Sequence, residues 1–267
     1  MKSLPEEVRL AEILRGYAPL GIAFSGGADS TALAVFASRV LNTGDVILIH
    51  AETPLAPGRE SQLVRETAKR YSIPLKTVFI DVLSDPAIRA NDSMRCYHCK
   101  KRIMGSALDE LRSAGFRYLC DGANTDDFSD WRPGMKASAE LGVRHPFIEA
   151  GLGIRRIRLI ARRLGIGNWM MPASACAASR FPCGLPLEKT EIDRVMKAEQ
   201  LLKEQFSVRD VRVRHLAGNI ASIEVKPVHL RRIFRLEPEI RKQLLLLGFQ
   251  HVEINRSGYK QGAMNHL

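Results

Sequence analysis

No apolar run in this 267-residue sequence approaches the roughly 20 residues that a membrane span needs. The first residues, MKSLPEEVRLAEILRG, carry acids and no long apolar core, so they do not read as a secretory signal. A cytoplasmic location is the resulting expectation. Cysteine is scarce and odd in number, five in all, which argues for thiols or metal ligands rather than a disulfide framework. Aromatics make up only 6% of the chain, few for stacking nucleic-acid bases, and no RNA-binding module is recognisable. No G-x-G-x-x-G occurs, which excludes a dinucleotide fingerprint, and no G-K-[ST] follows any glycine-rich loop, which excludes a Walker A loop. A single C-x-x-C stands in the chain without the second pair that a zinc site usually needs. Internal repeats and low-complexity segments are absent.

What is present is ordinary in bulk and uneven in detail. Apolar residues make up 45% and charged residues 26%, typical of a globular protein, and the length suits one large domain or a domain with a smaller one. Residues 1–150 balance 19 Lys and Arg against 19 Asp and Glu, whereas residues 151–267 hold 21 against 10 and so carry the whole net charge of +11. That basic half reads either as a solvated surface or as a site for a polyanion, an RNA or a phosphorylated small molecule.

Four apolar runs, GIAF (21–24), VILIHA (46–51), KTVFIDV (76–82) and RYLCDG (117–122), read as strands buried on both faces. Between them STALAVFASRVL, GRESQLVRETAKRYS and KKRIMGSALDELRSAG show helical spacing, and a further helix is expected at GIRRIRLIARRLG (153–165). Strand–helix alternation of this kind predicts an α/β fold with a doubly wound parallel sheet. Residues 167–187 break the periodicity with three prolines and two cysteines and read as a structured linker. A helix over 188–205, two strands (DVRVRH, ASIEVKP), a helix ending near Leu247 and a last strand HVEIN then form a small α+β unit. The expected organisation is therefore 1–166, a linker 167–187 and a C-terminal domain 188–267.

The strongest local signal is GIAFSGGADSTALA. An apolar strand runs into Ser25-Gly26-Gly27-Ala28-Asp29-Ser30 and a helix follows. Two glycines let the backbone curl round an anion, the helix start offers free N–H groups and the positive end of its dipole, and Asp29 is placed to hold magnesium on a phosphate. The alternative is a strand-to-helix turn with a Ser/Asp cap.

The S-G-G-x-D-S loop after a first strand resembles the PP-loop of ATP pyrophosphatases, with their adenine nucleotide α-hydrolase-like fold. These enzymes cleave ATP between the α- and β-phosphates, place AMP on a substrate oxygen, and let a nucleophile displace it. The resemblance implies that Ser25, Gly26, Gly27, Asp29 and Ser30 bind pyrophosphate and its Mg2+, and that His50 to Thr53, with Ala51 among them, lie where adenine binds. Four further stretches narrow the likeness: DGANTDDFSDWRPG (121–134), with Asn124, Asp126 and Asp127; SACAASRFPCG (174–184), with Cys176; VRVRH (211–215), with Arg212 and Arg214; and GYKQGAMN (258–265). Together they resemble the LarE family, ATP-dependent sulfur transferases that make the nickel-pincer nucleotide cofactor. The family's substrate is a phosphorylated pyridinium mononucleotide with two carboxylates. By that resemblance Asn124 and Asp127 belong to the nucleotide site, Arg212 and Arg214 hold the substrate phosphate with Arg180 beside them, and Cys176 is the reactive cysteine. Paired guanidinium groups suit a phosphate; read without the resemblance, Arg212 and Arg214 are alternate residues on one face of a strand, and Cys176 a small apolar residue. Arg180, four residues from Cys176, is expected to lower the pKa of its thiol. The resemblance also implies a homo-oligomer, a hexamer in the family, working beside the other enzymes of the same cofactor pathway.

Cys96 and Cys99 depart from the form of the family in which one cysteine gives up its own sulfur and is left as dehydroalanine. The pair reads as the junction after a strand and before a helix. Three readings stay open. In the first, Cys96, Cys99 and Cys176 are the three ligands of a [4Fe–4S] cluster that carries an extra sulfide; in the second, they are ordinary or redox thiols round a sacrificial Cys176; in the third, they bind zinc, for which His98 is a poor fourth ligand. Cys183 reads as a spectator, with a fourth ligand or a second nucleophile as alternatives, and Cys120 as core. The rival activities are tRNA thiolation by a relative of the same superfamily, an ammonia-using synthetase, and a nucleotide-binding module without catalysis. The aromatic scarcity speaks against the first, and the lack of an N-terminal nucleophilic cysteine against the second.

Overall fold

The computed structural model describes residues 4–56, 59–129, 133–171, 175–208 and 210–258. The chain divides into two compact units, Met1–Val82 with Cys96–Ser174, and Leu83–Arg95 with Ala175–Leu267.

The first unit opens with α1 (Pro5–Tyr17), β1 (Leu20–Ala23), α2 (Ala28–Val40), β2 (Val46–Glu52), α3 (Arg59–Arg70) and β3 (Leu75–Phe79). After the excursion into the second unit, which includes the single turn α4 (Pro86–Arg89), it resumes with α5 (Arg95–Ser113), β4 (Tyr118–Cys120), α6 (Pro133–Glu140), the single turn α7 (Pro146–Glu149) and α8 (Ile154–Arg163). The sheet is wholly parallel in the order β3-β2-β1-β4, with Leu20 opposite both Val46 and Tyr118. The chain passes from β1 to β2 on one side and later returns to β4 on the other. β1 and β4 therefore flank a topological switch point, where a crevice opens beyond the carboxyl ends of the strands.

The apolar runs make these strands because a parallel sheet covered by helices rewards residues that are apolar on both faces. β1 and β2 obey that rule, with Leu20, Ile22, Leu48 and Ile49 buried. β3 does not: it is the edge strand, and Phe79 is 70% exposed, so the expectation of a fourth strand buried on both faces is corrected. α2 is the best-covered helix. Every residue from Ser30 to Ala37 is buried, as befits a helix apolar almost all round, and Ile157, Ile160 and Ala161 of α8 share its cluster. α1, which also packs there through Leu10 and Leu14, was not signalled by the sequence pattern.

The second unit contains α9 (Lys189–Gln205), β5 (Val211–Leu216), β6 (Ile220–Val225), α10 (Pro227–Arg235), α11 (Glu237–Leu246) and β7 (His251–Ile254). The strands lie in the order β5-β6-β7, the first pair antiparallel and the second parallel. The helix expected to end near Leu247 is two helices, broken at Leu236 ahead of Pro238. Residues 83–95 join this unit through specific bonds. The buried Asn91 donates Nδ2–H to the carbonyls of Pro182 (2.7 Å) and Leu185 (2.9 Å), its own carbonyl accepts from Gly184 N at 2.9 Å, and Leu187 N donates to Arg89 O at 2.8 Å. The loop 175–187 is thus pinned to α4 and its surroundings.

Candidate functional site

Within the first unit the loop Ser25–Ser30 joins β1 to α2. β1 ends at Ala23, Gly26 takes a left-handed φ of +76°, and Gly27 caps α2 with its carbonyl accepting from Thr31 N at 3.0 Å. A side chain at Gly26 would be strained in that region. Ser25 Oγ accepts from Gly27 N (3.3 Å) and lies 3.1 Å from Ser30 Oγ, which itself donates to Gly27 O at 3.2 Å. Two residues that the sequence did not single out complete the loop. Asn168 donates to Gly26 O at 3.2 Å. Gly122, two residues after β4, lies so close to α2 that a Cβ there would stand 2.9 Å from Ser30 N. The signal was present as a glycine following an apolar strand, but only the pairing of β4 with β1 says which helix it meets. The result is a turn at a helix start, a geometry that suits an anion.

Acids surround its far side. Asn124 Nδ2 donates to Asp29 Oδ2 at 3.3 Å, Asp127 Oδ2 accepts from Asn124 N at 3.0 Å, and Asp126 Oδ2 accepts from Ile154 N at 2.6 Å. Burial pushes the Asp29 carboxyl above its ordinary range and Asp127 adds to the push, while Arg158 and the bond from Asn124 oppose it. A divalent cation would relieve that crowding of acids. Asn124 and Asp29 are thus in direct contact, with Asp127 bonded to Asn124; 130–132 in the same stretch lie outside the described residues. At the end of β2, His50 is buried, with Nδ1 2.8 Å from Phe24 O and Nε2 3.3 Å from Ser61 Oγ, and Ala51 pairs with Val78.

A second polar cluster at the end of β4 was not foreseen. Asp121 receives His145 Nδ1 at 2.7 Å, Lys100 Nζ at 3.1 Å and Ala123 N at 3.1 Å. Burial alone would raise its pKa; His145 and Lys100 outweigh that and bring it down to about 2. Lys100 follows Cys99 directly, one turn after Cys96. The C-x-x-C is itself displaced from its expected place: α5 begins at Arg95, so Cys96 and Cys99 lie inside its first turns, and the excursion 80–94 separates them from β3. Asp92 prepares that start, its carboxylate accepting from Met94 N and its carbonyl from Arg95 N. At i and i+3 the two thiols share a helix face, a spacing that suits two ligands of one metal group. Cys96 is exposed and Cys99 half-buried. Among the described residues no three His, Cys, Asp or Glu side chains gather at one point.

In the second unit Cys176 is exposed at the start of a 3₁₀ turn over Ala177–Arg180. Its carbonyl accepts from Ser179 N (3.0 Å), Ser179 Oγ (2.7 Å) and Arg180 Nη1 (3.1 Å). Arg180, expected at the substrate, is buried. It donates Nε and Nη2 to the two oxygens of Glu199 at 2.9 and 3.1 Å, and Nη1 also to Ala175 O at 2.8 Å. Glu199, fully buried on α9, additionally accepts from Val213 N at 3.2 Å. The guanidinium therefore builds the cysteine loop, and its charge is met by a carboxylate rather than presented to the thiol. Arg214 is similar: it pairs with Glu224 at 2.8 Å and donates to Ser179 O at 2.5 Å. Arg212 shares its strand face, is half-buried, and donates to Val211 O at 3.0 Å. The structure thus gathers Cys176, Arg180 and Arg214 round Ser179, tied to one another through backbone carbonyls. Cys183 is exposed in the same loop, and Cys120 is core, its thiol pushed well up by burial. Ser174 and residues 259–265 of the stretches singled out above lie outside the described residues.

No family model matches the chain. The chain is 31% identical over 260 residues to the pyridinium-3,5-bisthiocarboxylic acid mononucleotide synthase of Lactiplantibacillus plantarum, covering 97% of this chain and 94% of that one. It is 32% identical over 248 residues to an uncharacterized protein of Synechocystis, covering 92% and 91%. An uncharacterized protein of Methanocaldococcus jannaschii is 30% identical over 239 residues, 90% of each chain.

Proposed function

The chain belongs to the LarE family, and from that premise we propose that it is an ATP-dependent sulfur transferase acting on a pyridinium dicarboxylate mononucleotide. The observation that carries the reading is the loop Ser25–Ser30, closed by Gly122 and Asn168 and edged by Asp29, Asn124 and Asp127. Its N–H groups would take the phosphates of ATP, and Asp29 with Asp127 would hold Mg2+ on them. A substrate carboxylate oxygen attacks the α-phosphorus, the bond to the bridging oxygen breaks, and pyrophosphate leaves with the electron pair. The acyl adenylate so formed is open to a thiolate.

Cys176 is the nucleophile in this scheme. Its Sγ bonds to the activated carbonyl carbon, and AMP departs with the electrons of the C–O bond. In the sacrificial route a base then takes the Cα proton, the Cβ–Sγ bond breaks, and sulfur stays on the substrate as a thiocarboxylate while the residue becomes dehydroalanine. The other route uses Cys96, Cys99 and Cys176 to hold a [4Fe–4S] cluster, which would supply the sulfur as sulfide. Cys96, exposed, and Cys99, half-buried, share a helix face and would be two of those ligands, with Cys176 the third. Arg180 and Glu199 fix the backbone of Cys176 in either route, and Arg212 with Arg214 would meet the substrate phosphate.

The test is a single turnover without oxygen, using MgATP and pyridinium-3,5-dicarboxylate mononucleotide. Expected are AMP, pyrophosphate and a thiocarboxylate product, with adenylylation but no sulfur transfer in the Cys176→Ala variant. Full sulfur transfer by that variant sinks the mechanism. The absorption spectrum and intact mass of the protein separate the routes: iron and visible absorption in one, loss of sulfur from Cys176 in the other.

A further inference from the structure

The loop Ser25–Ser30 contains no basic residue, although a bound triphosphate carries several negative charges. P-loop proteins of the Walker type meet this need with a lysine in the loop itself, so here a cation has to come from another element. We infer that Arg158, on α8, is that cation and that its guanidinium contacts the β- and γ-phosphates of the nucleotide; the inference rests on the reading of the loop as an ATP site.

Three placements converge on it. First, α8 starts at the acidic edge of the loop. Asp126 Oδ2 accepts from Ile154 N at 2.6 Å and Thr125 N donates to Leu152 O at 3.1 Å, so the helix axis leaves from beside Asn124 and its partner Asp29. Arg158 lies one turn beyond Ile154 on the same face. Second, α8 is locked against α2 by Ile157, Ile160 and Ala161, which fixes the stem of Arg158 relative to the helix that carries Asp29 and Ser30. Third, Arg158 Nε is buried without a hydrogen-bond partner. A buried guanidinium N–H with nothing to donate to is costly, and a phosphate oxygen would satisfy it.

Of the four other arginines of this helix, Arg155 is exposed and three are engaged elsewhere. Arg156 pairs with Glu6 at 3.7 Å, Arg163 with Glu7 at 2.8 Å, and Arg162 lies 5.8 Å over the ring of Trp169. Arg158 instead acts on the Asp29 carboxyl through its charge. With nucleotide absent it helps offset the acids; with MgATP bound, the metal takes over that task and the guanidinium fork is available to phosphate.

Calorimetric titration of the purified full chain with MgATP and, separately, with AMP tests the assignment. The Arg158→Gln variant is expected to bind MgATP about 10- to 100-fold more weakly, the range for loss of a charge-assisted contact, and AMP, which lacks the two outer phosphates, within about twofold of the unaltered protein. Arg158→Lys keeps the charge but not the fork and is expected between them; it also decides the matter if the glutamine variant does not fold. Arg155→Gln, an exposed neighbour on the same helix, serves as the control and should bind both nucleotides normally. Unchanged MgATP affinity in Arg158→Gln, or equal weakening of MgATP and AMP, overturns the assignment while the ATP site stands. If the unaltered protein binds neither nucleotide, the reading of the loop fails and the role of Arg158 fails with it.

Discussion

Replacing Glu199 by Gln is expected to loosen the Cys176 loop from a distance. Glu199 has no exposed surface and Arg180 is 3% exposed, and they meet through two bonds of 2.9 and 3.1 Å. Removing one charge of such a pair leaves the other buried and uncompensated, at a cost of about 3–5 kcal/mol. Against a typical total of roughly 5–15 kcal/mol for a domain, that is a large part of the stability of the second unit. The glutamine keeps the shape and can still accept from Val213 N, so the loss falls at the lower end of the range. Urea unfolding followed by circular dichroism gives the destabilisation, and the rate at which iodoacetamide labels Cys176, read by mass spectrometry, reports on the loop. Glu199→Gln should unfold at lower urea and label faster. Replacing both residues with apolar ones of similar volume, Arg180→Met with Glu199→Leu, should recover much of the stability because no charge is left stranded. It should not recover sulfur transfer, because the Arg180 guanidinium that joins the carbonyls of Ala175 and Cys176 would still be missing. A Glu199→Gln protein within about 0.5 kcal/mol of the unaltered one, as at an ordinary surface site, would refute the reasoning.

Three other outcomes follow from the first unit. Asp29→Asn removes a carboxyl whose ionisation burial and Asp127 disfavour, so the ligand-free protein should melt at a higher temperature while AMP formation is lost; a lower melting temperature would contradict this. The Asp121 carboxyl, held at about 2 by His145 and Lys100, is depressed by folding, so its contribution is complete above the ordinary carboxylate pKa of about 4 and is lost as pH falls toward 2, amounting to about 2–3 kcal/mol. Acid unfolding of Asp121→Asn should be correspondingly less steep over that window, and an unchanged profile would count against the cluster. Gly122→Ala would bring a methyl group to within 2.9 Å of Ser30 N, which should displace the start of α2 and weaken nucleotide binding, measured by titration, with an intact second unit.

The periodicity of the sequence showed the central strands and α2 because a helix-covered parallel sheet demands apolar residues on both faces. It misjudged β3 because the same run of apolar residues also fits an edge, and Phe79 is left in solvent. The phosphate loop was legible because all its residues are consecutive. The partners of the loop were not: Gly122 and Asn124 come from the turn after β4 and Asn168 from beyond α8, and sequence order says nothing about where β4 and α8 lie. The same limit hid the assignment of residues 83–95 to the second unit, which depends on Asn91 bonding to carbonyls some ninety residues away. Arg180 was read as a charge near a cysteine, which its sequence distance supports; its partner Glu199 is one turn of choice among many on an amphipathic helix, and only burial reveals the pairing.

The complete burial of α2 from Ser30 to Ala37 has a consequence for the thermodynamics of nucleotide entry. On the proposed reading, the N–H groups offered to a phosphate stand at the start of this enclosed helix, so they would be ordered before contact. Binding there would freeze few backbone torsions, and little of the interaction would be consumed in arranging the receptor. Hydrogen exchange at Ser30 and Thr31 should then be slow in the empty protein and change little on saturation, with the response confined to the acidic edge at 124–127.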